Sequence, residues 1–134
     1  MQTRLRAAAF AVVAFAILAG CRSHQEHLVG PYSLSSIDVP EQMSVYYDLG
    51  DGSGIGRINA TVYSVGWNSQ YIVAKQHPSA NRSITNYFYL DMSKDSKYAE
   101  PDNSVVGPLT EAEFMRKKQE LALPDFTQTI RGLE

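Results

Sequence analysis

The chain has 134 residues, with 12 Lys and Arg against 14 Asp and Glu and a formal charge of −2. That length suits one domain with a modest core, and the slightly acidic balance makes it a poor candidate for nucleic acid, which needs a basic face. A single cysteine, Cys21, rules out an internal disulfide, so stability must come from packing of the eight Tyr, the five Phe and the one Trp with the aliphatic residues.

Residues 1–21 have the three parts of an export signal: positive charge at Arg4 and Arg6, an apolar run over 7–19, and small residues before a cut. The run is shorter than the roughly 20 apolar residues a spanning helix needs. It ends in Leu18-Ala19-Gly20-Cys21, which resembles the lipobox of bacterial lipoprotein precursors. The resemblance implies cleavage before Cys21, diacylglycerol on its sulfur and a further acyl chain on the freed amine, which together hold a protein durably on a membrane. Arg22 and Ser23 lack the Asp that retains such proteins at the inner membrane, so the implied location is the cell envelope, on the outer membrane facing the periplasm in a Gram-negative cell. Cleavage removes Arg4 and Arg6, and lipidation consumes the only thiol, leaving none for catalysis or metal.

Residues 21–29 read as a polar lipidated tether, and residues 30–134 as a single globular domain. His24 and His27 would share a helical face as metal ligands, but no third ligand follows at a suitable spacing, and no metal is expected. Strands are predicted over 32–37 and 43–49, with Pro40 between them. The stretch Gly50-Asp51-Gly52-Ser53-Gly54-Ile55-Gly56 fails the dinucleotide and calcium templates and reads as a turn between strands. Residues 57–67 and 70–77 form a predicted hairpin around Asn68-Ser69, with Trp67, Val65 and Tyr63 on the core face beside Ile72 and Ala74. Over 84–92, Ile84, Phe88, Leu90 and Met92 alternate with Thr85, Tyr87, Tyr89 and Asp91, a half-buried strand with tyrosines on its second face. Residues 93–104 read as an exposed loop.

Thr110-Glu111-Ala112-Glu113 is a capping box that starts a helix running to about Leu123, where Pro124 stops it. Its apolar stripe of Phe114 and Leu121, with Met115 and Ala122 as further candidates, is wide enough to dock on one sheet face. The expected fold is α+β, an antiparallel sheet of about four or five strands with one C-terminal helix packed on it. The segment Trp67 to Pro78, then Tyr87-Phe88-Tyr89-Leu90-Asp91, then Val106 to Phe114, resembles a family of small bacterial lipoproteins of unknown function over about residues 30–125. That resemblance implies the architecture and no catalytic residue.

A catalytic reading would pair His77 with Asp91 or Glu113 and use Ser79 or Ser83 as nucleophile, but none of these stands in a nucleophile elbow or a metal motif. The expectation is a non-enzymatic, lipid-anchored binding module without cofactor, whose partners are the membrane, through Cys21, and an envelope protein or glycan. The alternative is an inhibitor or immunity protein against a toxin or hydrolase acting in the periplasm. The candidate binding residues are Tyr71, Tyr87 and Tyr89 with Lys75 on one sheet face, unless the helix covers that face.

Overall fold

The computed structural model describes residues 24–134; residues 1–23, with the lipobox and Cys21, lie outside the described residues. Strands β1 (His24–Val29), β2 (Tyr32–Ser36), β3 (Ser44–Asp48) and β4 (Gly54–Ile58) form one sheet in that order. Strands β5 (Val62–Trp67), β6 (Tyr71–Gln76), β7 (Asn86–Asp91), β8 (Val105–Leu109) and β9 (Gln128–Thr129) form a second, ordered β8-β7-β6-β5-β9. Every pairing is antiparallel, and the helix α1 (Glu111–Leu121) follows β8.

The class is α+β with one helix near the C-terminus, as the sequence predicts, but the strands divide between two sheets. Their inner faces meet in a shared core: Leu28, Leu34, Val45 and Ile58 from the first sheet pack with Val62, Val65, Ala74 and Phe88 from the second. At the junction the Val62 amide donates to the Met43 carbonyl at 2.8 Å, and Thr61 and His77 exchange backbone hydrogen bonds of 3.0 and 2.9 Å.

Three local outcomes differ from expectation. Residues 24–29, read as part of the tether, form edge strand β1, which pairs with β2 from His24↔Ser36 onwards. An edge strand is held by backbone bonds and needs few apolar side chains. Leu28 alone of its residues is buried, so composition cannot distinguish it from a tether. In the hairpin, the Asn68 side-chain oxygen accepts from the Gln70 and Tyr71 amides at 2.9 and 2.7 Å, moving the tip to Ser69-Gln70 and pairing Trp67 with Ile72. That is a two-residue shift from a tip at Asn68-Ser69, so the side chains near the tip, Val65, Trp67, Ile72 and Ala74 among them, keep their predicted face. A bulge between Val62 and Ser64 then brings Val62 into the core, where strict alternation would face it outward.

The third concerns residues 93–104, expected to be exposed. Asp95 is anchored instead: its side chain and that of Arg57 are fully buried, with Arg57 Nε 2.8 Å from Asp95 Oδ2. The Tyr32 hydroxyl donates to the same oxygen at 2.8 Å, and Arg57 also donates to the Ser96 carbonyl at 3.0 Å. Arg57 lies 5.2 Å from the Tyr47 ring centroid, and Tyr47 meets Tyr32 edge-on at 5.4 Å. Burial, then the bond to Asp95, pushes the Tyr32 hydroxyl well above the usual tyrosine range. One ion pair thus ties the loop to β4 and β2.

The helix begins as its capping box dictates, with the Glu113 amide donating to Thr110 Oγ1 at 3.2 Å and the Thr110 amide to Glu113 Oε2 at 2.9 Å. It ends one turn before Pro124, where Ala122 takes a left-handed conformation (φ 54°) and its amide bonds the Lys118 carbonyl. Phe114 is buried and Leu121 partly so, whereas Met115 of the predicted stripe is exposed.

Candidate functional site

The register Tyr71↔Asp91, Val73↔Tyr89 and Lys75↔Tyr87 sets the four predicted residues on the outer face of the five-stranded sheet. They are together, but under cover. Tyr71 and Tyr89 are 8% and 7% exposed and pack with Val73, Phe114 and Leu123 beneath α1. Tyr71 and Tyr89 meet edge-on at 6.1 Å, and Phe114 lies 5.1 Å from the Tyr87 ring and 5.4 Å from Phe126. Lys75 Nζ lies 4.8 Å from the Phe126 centroid and 5.6 Å from that of Tyr87, a cation over two aromatic faces. Desolvation raises the pKa of both Tyr87 and Tyr89.

The second part of the cover is the segment after the helix, and it needs Gly66. A Cβ there would stand 1.9 Å from the Asp125 carbonyl oxygen, so no other residue lets the chain cross β5 so closely. Tyr71 and Tyr89 therefore belong to a second core, and Tyr87 and Lys75 remain half-buried at its edge.

Among the described residues, the outer face of the four-stranded sheet carries no such cover. Register pairs Gln25↔Ser35, Ser33↔Tyr46 and Asp48↔Gly54 line up small polar groups around one aromatic ring. They border a recess of about 300 Å³, with Ile37 at one end and Gly52 and Ser53 at the other. Tyr46 lies against the bare backbone of β4: a Cβ at Gly54 would be 3.5 Å from its Cδ1 and one at Gly56 3.9 Å from its Cε1. Within the recess Ser33 Oγ donates to Asp48 Oδ1 at 2.8 Å. At the rim, Gly50 and Gly52 turn at φ 85° and 87°, and Asp51 accepts from the Ser53 hydroxyl and amide, which lowers its pKa. The surface offers hydroxyls, an amide, a carboxylate and a half-buried ring, the chemistry of polar recognition.

The residues of the catalytic reading are dispersed. His77 is 3% exposed, stacked on Tyr63 at 4.1 Å, with Nδ1 2.8 Å from the Ile84 carbonyl oxygen. Asp91 stands at the far end of β7, where it accepts from Ser93, and Glu113 is held in the capping box. Ser79 lies in a short 3₁₀ turn with φ 49°, and Ser83 bonds Asn81. Among the described residues no three His, Cys, Asp or Glu side chains form a group that could hold a metal ion. His24 and His27, three apart in a strand, cannot share a face as they would in a helix.

Residues 30–129 match the model of a family described as proteins of unknown function, DUF3997. The chain belongs to this family. No curated protein and no solved structure matches it. The DUF3997 match spans β2 to β9, including the core beneath α1, most of the core between the sheets apart from Leu28 and Leu133, and all of the recess except Gln25 on β1; its span and its unknown function agree with the resemblance seen over 30–125.

Proposed function

We propose that this DUF3997 protein is a lipid-anchored envelope lipoprotein whose domain acts as a non-catalytic binding module for a protein or glycan. The lipobox supports the anchor. The observation that carries the binding role is the recess over β1–β4: while Tyr71 and Tyr89 of the second sheet are packed away under α1, this face keeps Gln25, Ser35, Tyr46, Asp48 and Ser53 around an open concavity. Closely set hydrogen-bonding groups flanking an aromatic ring suit the hydroxyl-rich face of a glycan or the backbone of a protein loop.

The test is affinity capture from the native envelope with the full acylated protein. Tyr46→Ala, at a half-buried position outside the buried cores, is expected to reduce recovery of the partner while the domain stays cooperatively folded at the temperature of capture, as its thermal transition checks. Undiminished recovery with this variant and with Ser35→Trp, which fills the recess, would remove the face from the account. Recovery of a hydrolase that the domain inhibits would turn the reading to the inhibitor alternative.

A further inference from the structure

We propose that the end of the domain where β1 begins is a bilayer-contacting face, on which Ile37, Val39 and Ile84 rest at headgroup level beside the acylated Cys21; this deepens the lipid-anchor reading and rests on it. The first reason is chain length. Cys21 precedes His24 by three residues, which reach at most about 11 Å when fully extended. His24 is the first residue of β1 and is paired with Ser36, so the chain leaves β2 into Ile37 at that same end. A domain tied so closely cannot float free of the surface that holds its anchor.

The second reason is what this end exposes. Ile37 is 61% exposed, Val39 46% and Ile84 46%. Contacts bring the connections that carry them together: Thr61 Oγ1 donates to the Glu41 carbonyl, Thr61 bonds His77 through the backbone, and the His77 ring bonds the Ile84 carbonyl. Glu41, Thr61, Ala80 and Arg82 border one small cavity between these connections. Among the described residues, the other large exposed apolar side chains stand on other elements, Ile55 on β4, Tyr98 in the 92–104 loop, Val106 on β8 and Met115 on α1. Aliphatic side chains gathered at the anchored end have a ready apolar partner in the lipid.

Charge sets the depth of the contact. His24 at the start of β1 and Asp38, Glu41 and Arg82 on the connections are all exposed, Glu41 and Arg82 on the small cavity, and backbone hydrogen bonds, then Arg131 and Arg82, lower the pKa of the terminal Glu134. Mixed signs give no net pull toward anionic lipid, and these groups stay hydrated, so the aliphatic tips reach the interface and not the hydrocarbon centre. With this end down, β3 and β4 rise from the bilayer and lift the Gly50–Gly52 turn about 17 Å above it, at roughly 3.4 Å per residue over five residues, so the recess opens sideways and upward.

Methyl NMR of the acylated protein in nanodiscs tests this, using a lipid that carries a nitroxide on its headgroup. The expected result is selective loss of the Ile37, Val39 and Ile84 methyl signals, with those of Ile55 and Ile72 retained. Retention of all of them, or equal loss of all, in protein that co-migrates with the nanodisc would overturn the bilayer face and leave the anchor standing. Protein without acyl mass on Cys21 that fails to co-migrate would overturn the anchor and this face with it.

Discussion

Asp95→Ala is expected to destabilise the domain by about 3–5 kcal/mol, the range for removing one partner from a buried ion pair. Arg57 and Asp95 are wholly shielded from solvent, and the carboxylate also accepts the Tyr32 hydroxyl, so the variant strands a guanidinium and a phenol in the core together. The cost lies in leaving charge unpaired. Replacing both partners, Arg57→Met with Asp95→Leu, should therefore cost clearly less than the two single changes summed. Urea denaturation of Asp95→Ala, of Arg57→Met and Asp95→Leu singly, and of the double variant measures the difference. A loss under about 1 kcal/mol for Asp95→Ala, as for surface pairs, would mean that the 92–104 loop is not pinned to β4.

Phe114→Ala is the second large effect, at about 3–5 kcal/mol for a buried phenylalanine. Phe114 is 1% exposed and is the side chain through which α1 meets Tyr87 and Phe126. Its loss should also uncover Tyr71 and Tyr89, seen as a rise in tyrosine accessibility below the unfolding transition. Unchanged stability would place the helix off the sheet and return the tyrosine face to the surface.

Much of this fold is legible in the sequence. The alternation of Phe88 and Leu90 against Tyr87 and Tyr89 gave the right faces for β7, and Thr110 with Glu113 marked the helix start to the residue. Edge strands are harder, because pairing on one side through the backbone asks little of side chains: β1 is mostly polar and β8 contains Gly107 and Pro108. The division into two sheets turns on where a few backbone bonds run near Ala60 and Thr61, which leaves no periodic trace. Nor does periodicity reveal which face is covered. Tyr71, Tyr87, Tyr89 and Lys75 read as a recognition surface until Phe114 of α1 packs over Tyr71 and Tyr89 and Phe126, beyond the helix, is brought over Lys75 and Tyr87 by the crossing at Gly66. The recess escaped notice for the opposite reason, since serines and glycines beside a tyrosine look like solvent-facing filler until register sets them side by side.

The anchor on which the envelope role depends is tested most directly by metabolic labelling with palmitate in cells expressing the wild-type chain or Cys21→Ser. The wild type is expected to take up label and remain with membranes through a high-salt wash, since acyl chains hold by burial and not by charge. Cys21→Ser should take up none and leave the membrane fraction. Label retained by Cys21→Ser, or absent from the wild type, would contradict the account.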